Sequence, residues 1–162
     1  MYNKTFKWCL NKITVIIVAV ISLAFAGCNQ EDDVFEIFDS GTWRVNNYYS
    51  KCNWNNLANK PGVPAYTNAQ ELEIINSYTI LFDDDGTFTG KIDGGTFKGK
   101  WSANADDRSF SMTDISADIS LSGKNKEFID KLKYVRYYQG DSRTMQLAPE
   151  DRTSYIQFRH DE

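Results

Sequence analysis

Phe82-Asp83-Asp84-Asp85-Gly86-Thr87-Phe88-Thr89-Gly90-Lys91-Ile92-Asp93-Gly94-Gly95-Thr96-Phe97-Lys98-Gly99-Lys100-Trp101 is the stretch on which the fold turns. Phe88, Gly90 and Ile92 fall on one side of an extended chain. Phe97, Gly99 and Trp101 do the same, with Lys98 and Lys100 opposite. A period of two with one charged side reads as antiparallel strands whose second face is wet. Asp83-Asp84-Asp85-Gly86 and Asp93-Gly94-Gly95 are turn chemistry, because Asp closes local hydrogen bonds and Gly accepts the left-handed backbone. The stretch is therefore two consecutive hairpins.

Working outward, the same pattern recurs. Thr42 to Tyr49 alternates, with Trp43, Val45 and Asn47 on one face. Tyr78 to Asp83 places Tyr78, Ile80 and Phe82 together. Ser109 to Ile115 follows the turn at Asn104–Arg108, with Phe110 and Met112 inward. Lys133 to Gln139, Arg143 to Ala148 and Thr153 to Arg159 complete eight strands, separated by Gly140-Asp141-Ser142 and Pro149–Arg152. Between the fifth and sixth, Ser122 to Lys133 carries Phe128, Ile129 and Leu132 at helical spacing, which predicts a short amphipathic helix. Eight antiparallel strands can close into a barrel and remove their exposed edges. The expected class is all-β, an eight-stranded antiparallel barrel with one or two short helices.

The one long irregular connection, Asn53 to Asn68, holds Pro61, Gly62 and Pro64. Asn68 and Glu71 look like a helix cap and its partner, so Ala69 to Asn76 reads as a second short helix bearing Leu72 and Ile75. Leu72 and Ile74 also alternate, and an early start to the next strand is the alternative. Long loops in small domains are more often functional than short ones. Trp54 and Tyr66 lie in this loop and are the candidates for ligand or partner contact. The competing reading is that both rings fold the loop back onto the barrel.

The N-terminus has its own logic. Lys4, Lys7 and Lys12 precede an apolar run from Ile13 to Ala26 that ends Phe25-Ala26-Gly27-Cys28. The run is too short for a spanning helix, which needs ~20 apolar residues. Small residues before a cysteine are where a bacterial lipoprotein precursor is cut and acylated, so Cys28 is the expected lipid attachment site, carrying palmitate-type acyl chains. Phe25 departs from the aliphatic residue usual at its position. An ordinary signal peptide and a one-span anchor are the alternatives. The expected organisation is a signal peptide over 1–27, a lipid-anchored tether and lid over 28–40, and the barrel over 41–162. Asn29-Gln30-Glu31-Asp32-Asp33 is either an export signal to the outer face of the outer membrane or a solvated tether. Val34, Phe35, Ile37 and Phe38 could lie across one end of the barrel. The predicted location is the outer membrane, lipid-anchored, with cell-surface exposure open.

Charge narrows the partners. Taking the leader's three lysines from 18 Lys+Arg leaves 15 against 22 Asp+Glu, a net charge of −7. Nucleic acid is not an expected partner, since it rewards basic surfaces. Nor is an anionic lipid surface beyond the acyl anchor. With Cys9 lost and Cys28 acylated, Cys52 remains alone and no intrachain disulfide is available. It reads as a partly buried thiol.

Several motifs taken in order resemble one family. Gly41-Thr42-Trp43 matches the Gly-x-Trp element of lipocalins. Phe82 to Phe88 followed by Gly99-Lys100-Trp101 matches the strand, Asp-Gly turn, strand, Gly-x-Trp rhythm of bacterial lipocalin-like lipoproteins. Thr144-Met145-Gln146-Leu147 is similar to their penultimate strand. Cys28 to Phe38 looks like the start of lipocalin-like surface lipoproteins of unknown function, with a calycin-type β-barrel. The resemblance covers nearly all of the chain after the leader. It implies a lipocalin-like barrel in which Trp43 closes the base under an arginine of the last strand region, with Arg159 the positional candidate and Arg136 second. It transfers fold better than function, because one barrel hosts many roles.

No catalytic arrangement is legible, and no enzymatic activity is expected. Asp83, Asp84 and Asp85 lack the alternation of a calcium loop. His160 is the sole histidine, which does not build a zinc site. No metal and no cofactor are expected. The leading expectation is a lipid-anchored envelope module binding a small apolar molecule or an envelope partner at the barrel mouth. The alternatives are an accessory subunit with a filled barrel and a hydrolase inhibitor. Phe82, Phe88, Phe97, Trp101, Phe110 and Met112 are bulky enough to fill much of the interior.

Overall fold

A computed structural model describes Val34 and residues 37–160. The expectations on Cys28, the leader, the acidic stretch, Phe35 and Glu36 lie outside the described residues. Eight antiparallel strands form a nearly closed barrel with two helices. With a ninth, two-residue strand (β2) outside the barrel order, the elements in chain order are β1 (Thr42–Ser50), β2 (Val63–Pro64), α1 (Ala69–Asn76), β3 (Thr79–Phe82), β4 (Thr87–Ile92), β5 (Gly95–Ala103), β6 (Phe110–Ala117), α2 (Gly123–Lys133), β7 (Val135–Gly140), β8 (Thr144–Pro149) and β9 (Ser154–His160). The strand order is β6-β5-β4-β3-β1-β9-β8-β7, with β2 added to the end of β1. The seam between β6 and β7 is bridged at Ser109 and Tyr137, and the Tyr138 N–H donates to the Arg108 carbonyl at 3.1 Å.

The hairpins form where turn chemistry places them. Gly86 (φ +80°) donates to the Asp83 carbonyl at 3.0 Å, and the Asp85 carboxylate accepts from the Thr87 N–H and hydroxyl. Both helices stand where the sequence puts them. Asn68 caps α1 by accepting from the Gln70 N–H at 2.8 Å. Glu71, however, does not close the cap. It pairs with Lys124 at 3.0 Å, which ties α1 to α2.

Face alternation breaks in one place. Val45 pairs with Phe158 and Asn47 with Gln157, so β1 carries one extra residue. This β-bulge moves the inward set from Trp43 and Val45 to Tyr48. Asn47, expected on the same face as Trp43 and Val45, is buried, but its amide staples the long loop. It donates to the Tyr66 carbonyl at 2.8 Å and accepts from the Tyr48 and Tyr66 N–H groups.

Register and connections define two ends. Trp43, Phe82, Phe88 and Phe110 lie toward one; Ile92, Val135 and α2 lie toward the other. Both are filled. At the Trp43 end, Phe38 is 1% exposed and enters the core, with ring centroids of Phe82, Trp101, Phe110 and Tyr138 at 4.9–5.2 Å. At the other end α2 inserts Phe128, Ile129 and Leu132, and Phe128 meets Tyr78 at 5.2 Å and Phe97 at 5.7 Å. Side chains therefore occupy the barrel axis, one of two options open to eight strands.

Candidate functional site

Trp43 is fully buried, and its indole N–H donates to the Ile37 carbonyl at 3.0 Å. Arg159 does not sit beneath it. Arg159 pairs with Arg44 in the ladder and is exposed, whereas Trp43 pairs with His160. Paired residues share a face and successive residues alternate, so the side chain that meets Trp43 belongs to His160. The rings stand edge to face at 5.5 Å, and the imidazole also bonds the Ser40 carbonyl. Arg136 is at the far end, held by the Val135 and Lys133 carbonyls.

The structure separates Trp54 and Tyr66. Trp54 opens a 3-10 turn (Trp54–Asn56) and is 9% exposed, in a cluster with Ala148 and Tyr155 on the outer face of β1, β9, β8 and β7. Its carbonyl accepts from Gln139 at 3.3 Å. Cys52, half-buried, joins this cluster; its thiol donates to the Arg152 carbonyl at 3.5 Å, and burial pushes its pKa up. Tyr66 instead reaches α2. Its hydroxyl donates to Glu127 at 2.6 Å, its ring lies 3.9 Å from the Lys124 ammonium, and it meets Tyr48 edge to face at 5.7 Å.

That last contact leads to the candidate site. A cleft of about 360 Å³ opens at the α2 end, between α2 and the ends of β1, β8 and β9. Tyr48, Tyr49, Tyr134 and Tyr155 line it together with Val135, Leu147 and Ile156. Its volume is within the range of small-molecule sites. Tyr48 is 3% exposed, and its hydroxyl finds no hydrogen-bond partner among the described residues. A buried hydroxyl in that state costs about 1–3 kcal/mol. Burial, then Glu127, Tyr66 and Tyr78, push its pKa upward, so it stays a neutral donor. The two carboxylates at the rim are both paired. Glu127 pairs with Lys131 at 3.7 Å, and Asp130 pairs with Lys126 and with Lys133. A lining rich in tyrosine and apolar side chains, with its carboxylates already paired, suits a small, largely apolar ligand with an acceptor atom.

Sequence reasoning missed Tyr48 as a site residue, because strict alternation from Trp43 sends it outward. Two adjacent asparagines before a Tyr-Tyr pair are compatible with a bulge but do not demand one. Among the described residues, no group of three or more His, Cys, Asp or Glu side chains could hold a metal ion. No helix there is long and apolar enough to cross a membrane.

The model of the family described as "Domain of unknown function (DUF4847)" matches residues 29–160. The crystal structure of a DUF4847 family protein from Bacteroides vulgatus is similar at 38% identity, over 79% of this chain and 97% of that one, with a TM-score of 0.70. The NMR structure of a protein from Burkholderia xenovorans is similar at 11% identity, over 82% and 88% of the two chains, with a TM-score of 0.54. The second likeness concerns the fold alone. No curated protein matches the chain.

Proposed function

As the chain belongs to the DUF4847 family, we propose, from its leader sequence and its site geometry together, that it is a lipid-anchored, lipocalin-like binding module of the cell envelope, which takes a small, largely apolar ligand in the tyrosine cleft beside α2. The observation that carries this reading is the tyrosine-rich lining of the cleft, to which Tyr48 contributes a side chain whose buried hydroxyl has no hydrogen-bond partner among the described residues. A ligand acceptor atom there would recover the free energy of the unmade hydrogen bond, and the rings supply apolar area at low entropic cost. Anchoring at Cys28, after cleavage of 1–27, accounts for the apolar run and the small residues before the cysteine. Placement in the outer membrane rests on the absence of aspartate after Cys28.

The filled axis favours a second reading, an accessory envelope subunit that docks through its outer faces. Native mass spectrometry of full-length protein extracted from its own envelope in detergent separates the two. The binding reading expects a small-molecule adduct that is lost in Ser154→Trp, a variant that fills the cleft from its rim. A ligand-free protein that co-purifies with one envelope protein would establish the accessory role instead.

A further inference from the structure

Sharing no lining residue with the tyrosine cleft, the outer face of β1, β3, β4, β5 and β6 forms a half-open groove of about 890 Å³. The registers arrange its side chains in two rows across the strands. One row runs Arg44, Thr79, Lys91, Thr96 and continues to Asp118. The other runs Thr42, Leu81, Thr89, Lys98, Ser116. The concavity has a local cause. Between Lys98 and Lys100 the register slips by one residue, and Asp114 takes φ +53°. A bulge of this kind bends its strand and raises the local twist.

We propose that this groove binds an acidic polysaccharide. Arg44, Lys91 and Lys98 line it in a chain whose net charge is −4. The single lining carboxylate, Asp118, already accepts from the Thr96 N–H at 2.7 Å and the Thr96 hydroxyl at 2.8 Å. Arg44 and Lys91 stand two strands apart, ~10 Å, with Thr79 between them, and Lys98 lies one strand further on. The cations are thus spread out and interleaved with hydroxyls. That pattern fits a chain bearing carboxylates or sulfates at intervals with hydroxyls between. The Asn76 carbonyl accepts from the Arg44 guanidinium at 3.0 Å and holds it in place.

Other polyanions fit less well. Leu81 is the one exposed large apolar side chain in the lining, so an acidic peptide finds no anchor. The only ring there, Phe97, is buried, so bases have nothing on which to stack. A flat bilayer does not enter a concave face.

The test is affinity electrophoresis of full-length protein in detergent, through gels containing polygalacturonate, dextran sulfate or neutral dextran. Retardation by an acidic polymer and not by neutral dextran is expected. Lys91→Glu with Lys98→Glu should weaken it about tenfold or more, as loss of complementary charge does. Both lysines are exposed, so the melting temperature should hold. Lys51→Glu with Lys60→Glu, which makes the same change of net charge elsewhere, should keep the retardation. Passage unaffected by every polymer overturns the proposal, as does equal loss in both variants. Preferential binding to phosphatidylglycerol vesicles over the polymers would also overturn it, in favour of a lipid surface.

Discussion

The Trp43 indole N–H donates to the Ile37 carbonyl at 3.0 Å, and through this bond the first barrel strand holds the segment that plugs it. Ile37 precedes Phe38, whose ring touches four aromatic side chains of the core. Trp43→Ala should therefore destabilise by ~3–5 kcal/mol, the range for a buried large aromatic. Trp43→Phe should cost ~1–2 kcal/mol, because Ser40 still donates to the same carbonyl at 2.7 Å. Urea denaturation of the two variants checks the order, and a loss under about 1 kcal/mol in the alanine variant would remove Trp43 from the base of the core.

Trp54 and Tyr66 should part company on mutation. Trp54→Ala empties a place against Tyr155 and Ala148, and should cost ~2–3 kcal/mol, below the full core range because the cluster is peripheral. Tyr66→Phe removes the hydrogen bond to a partly exposed Glu127, and should cost under about 1 kcal/mol. Paired thermal melts decide it; a Trp54 variant with unchanged stability would leave that ring available for contact with a partner.

Tyr48→Phe isolates the cleft. The hydroxyl has no partner among the described residues, so stability should hold or rise slightly. Retention of the envelope-derived adduct in native mass spectra should fall. A marked drop in stability would mean that the hydroxyl serves the fold rather than a ligand.

Alkaline pH should unfold the protein through its buried phenols. Burial pushes Tyr78 and Tyr155 up to about 12 from an ordinary value of 10.0. Raised values mean that the unfolded chain ionises first. The stability these rings contribute is complete below about pH 10 and is lost as pH rises through about 12. Tyrosinate absorbance during a pH titration should show these two groups ionising together with unfolding, and normal titration of all tyrosines while far-UV signal persists would refute it.

Cys28→Ala should abolish incorporation of a clickable fatty acid and leave the leader attached. Label on the variant would sink the lipoprotein assignment. Alanines at Glu31, Asp32 and Asp33 should lower protease accessibility on intact cells if the acidic stretch directs export.

What the sequence determined by itself is the local order: eight strands, the hairpin turns, the amphipathic run at Phe128, Ile129 and Leu132, and the Asn68 cap. Each rests on neighbours in the chain, through a period of two, a period near 3.6, or a side chain bonding its own backbone. It also carried the bulk that fills the barrel. The tertiary structure decided which face each side chain took once register slipped. One extra residue in β1 turned Tyr48 inward and made Asn47 a staple, because a shift of one exchanges the two faces of a strand. The same rule placed His160 against Trp43 and left Arg159 outside. Two rows of cations and hydroxyls likewise exist only because five strands align, and no stretch of the chain read alone contains such a row.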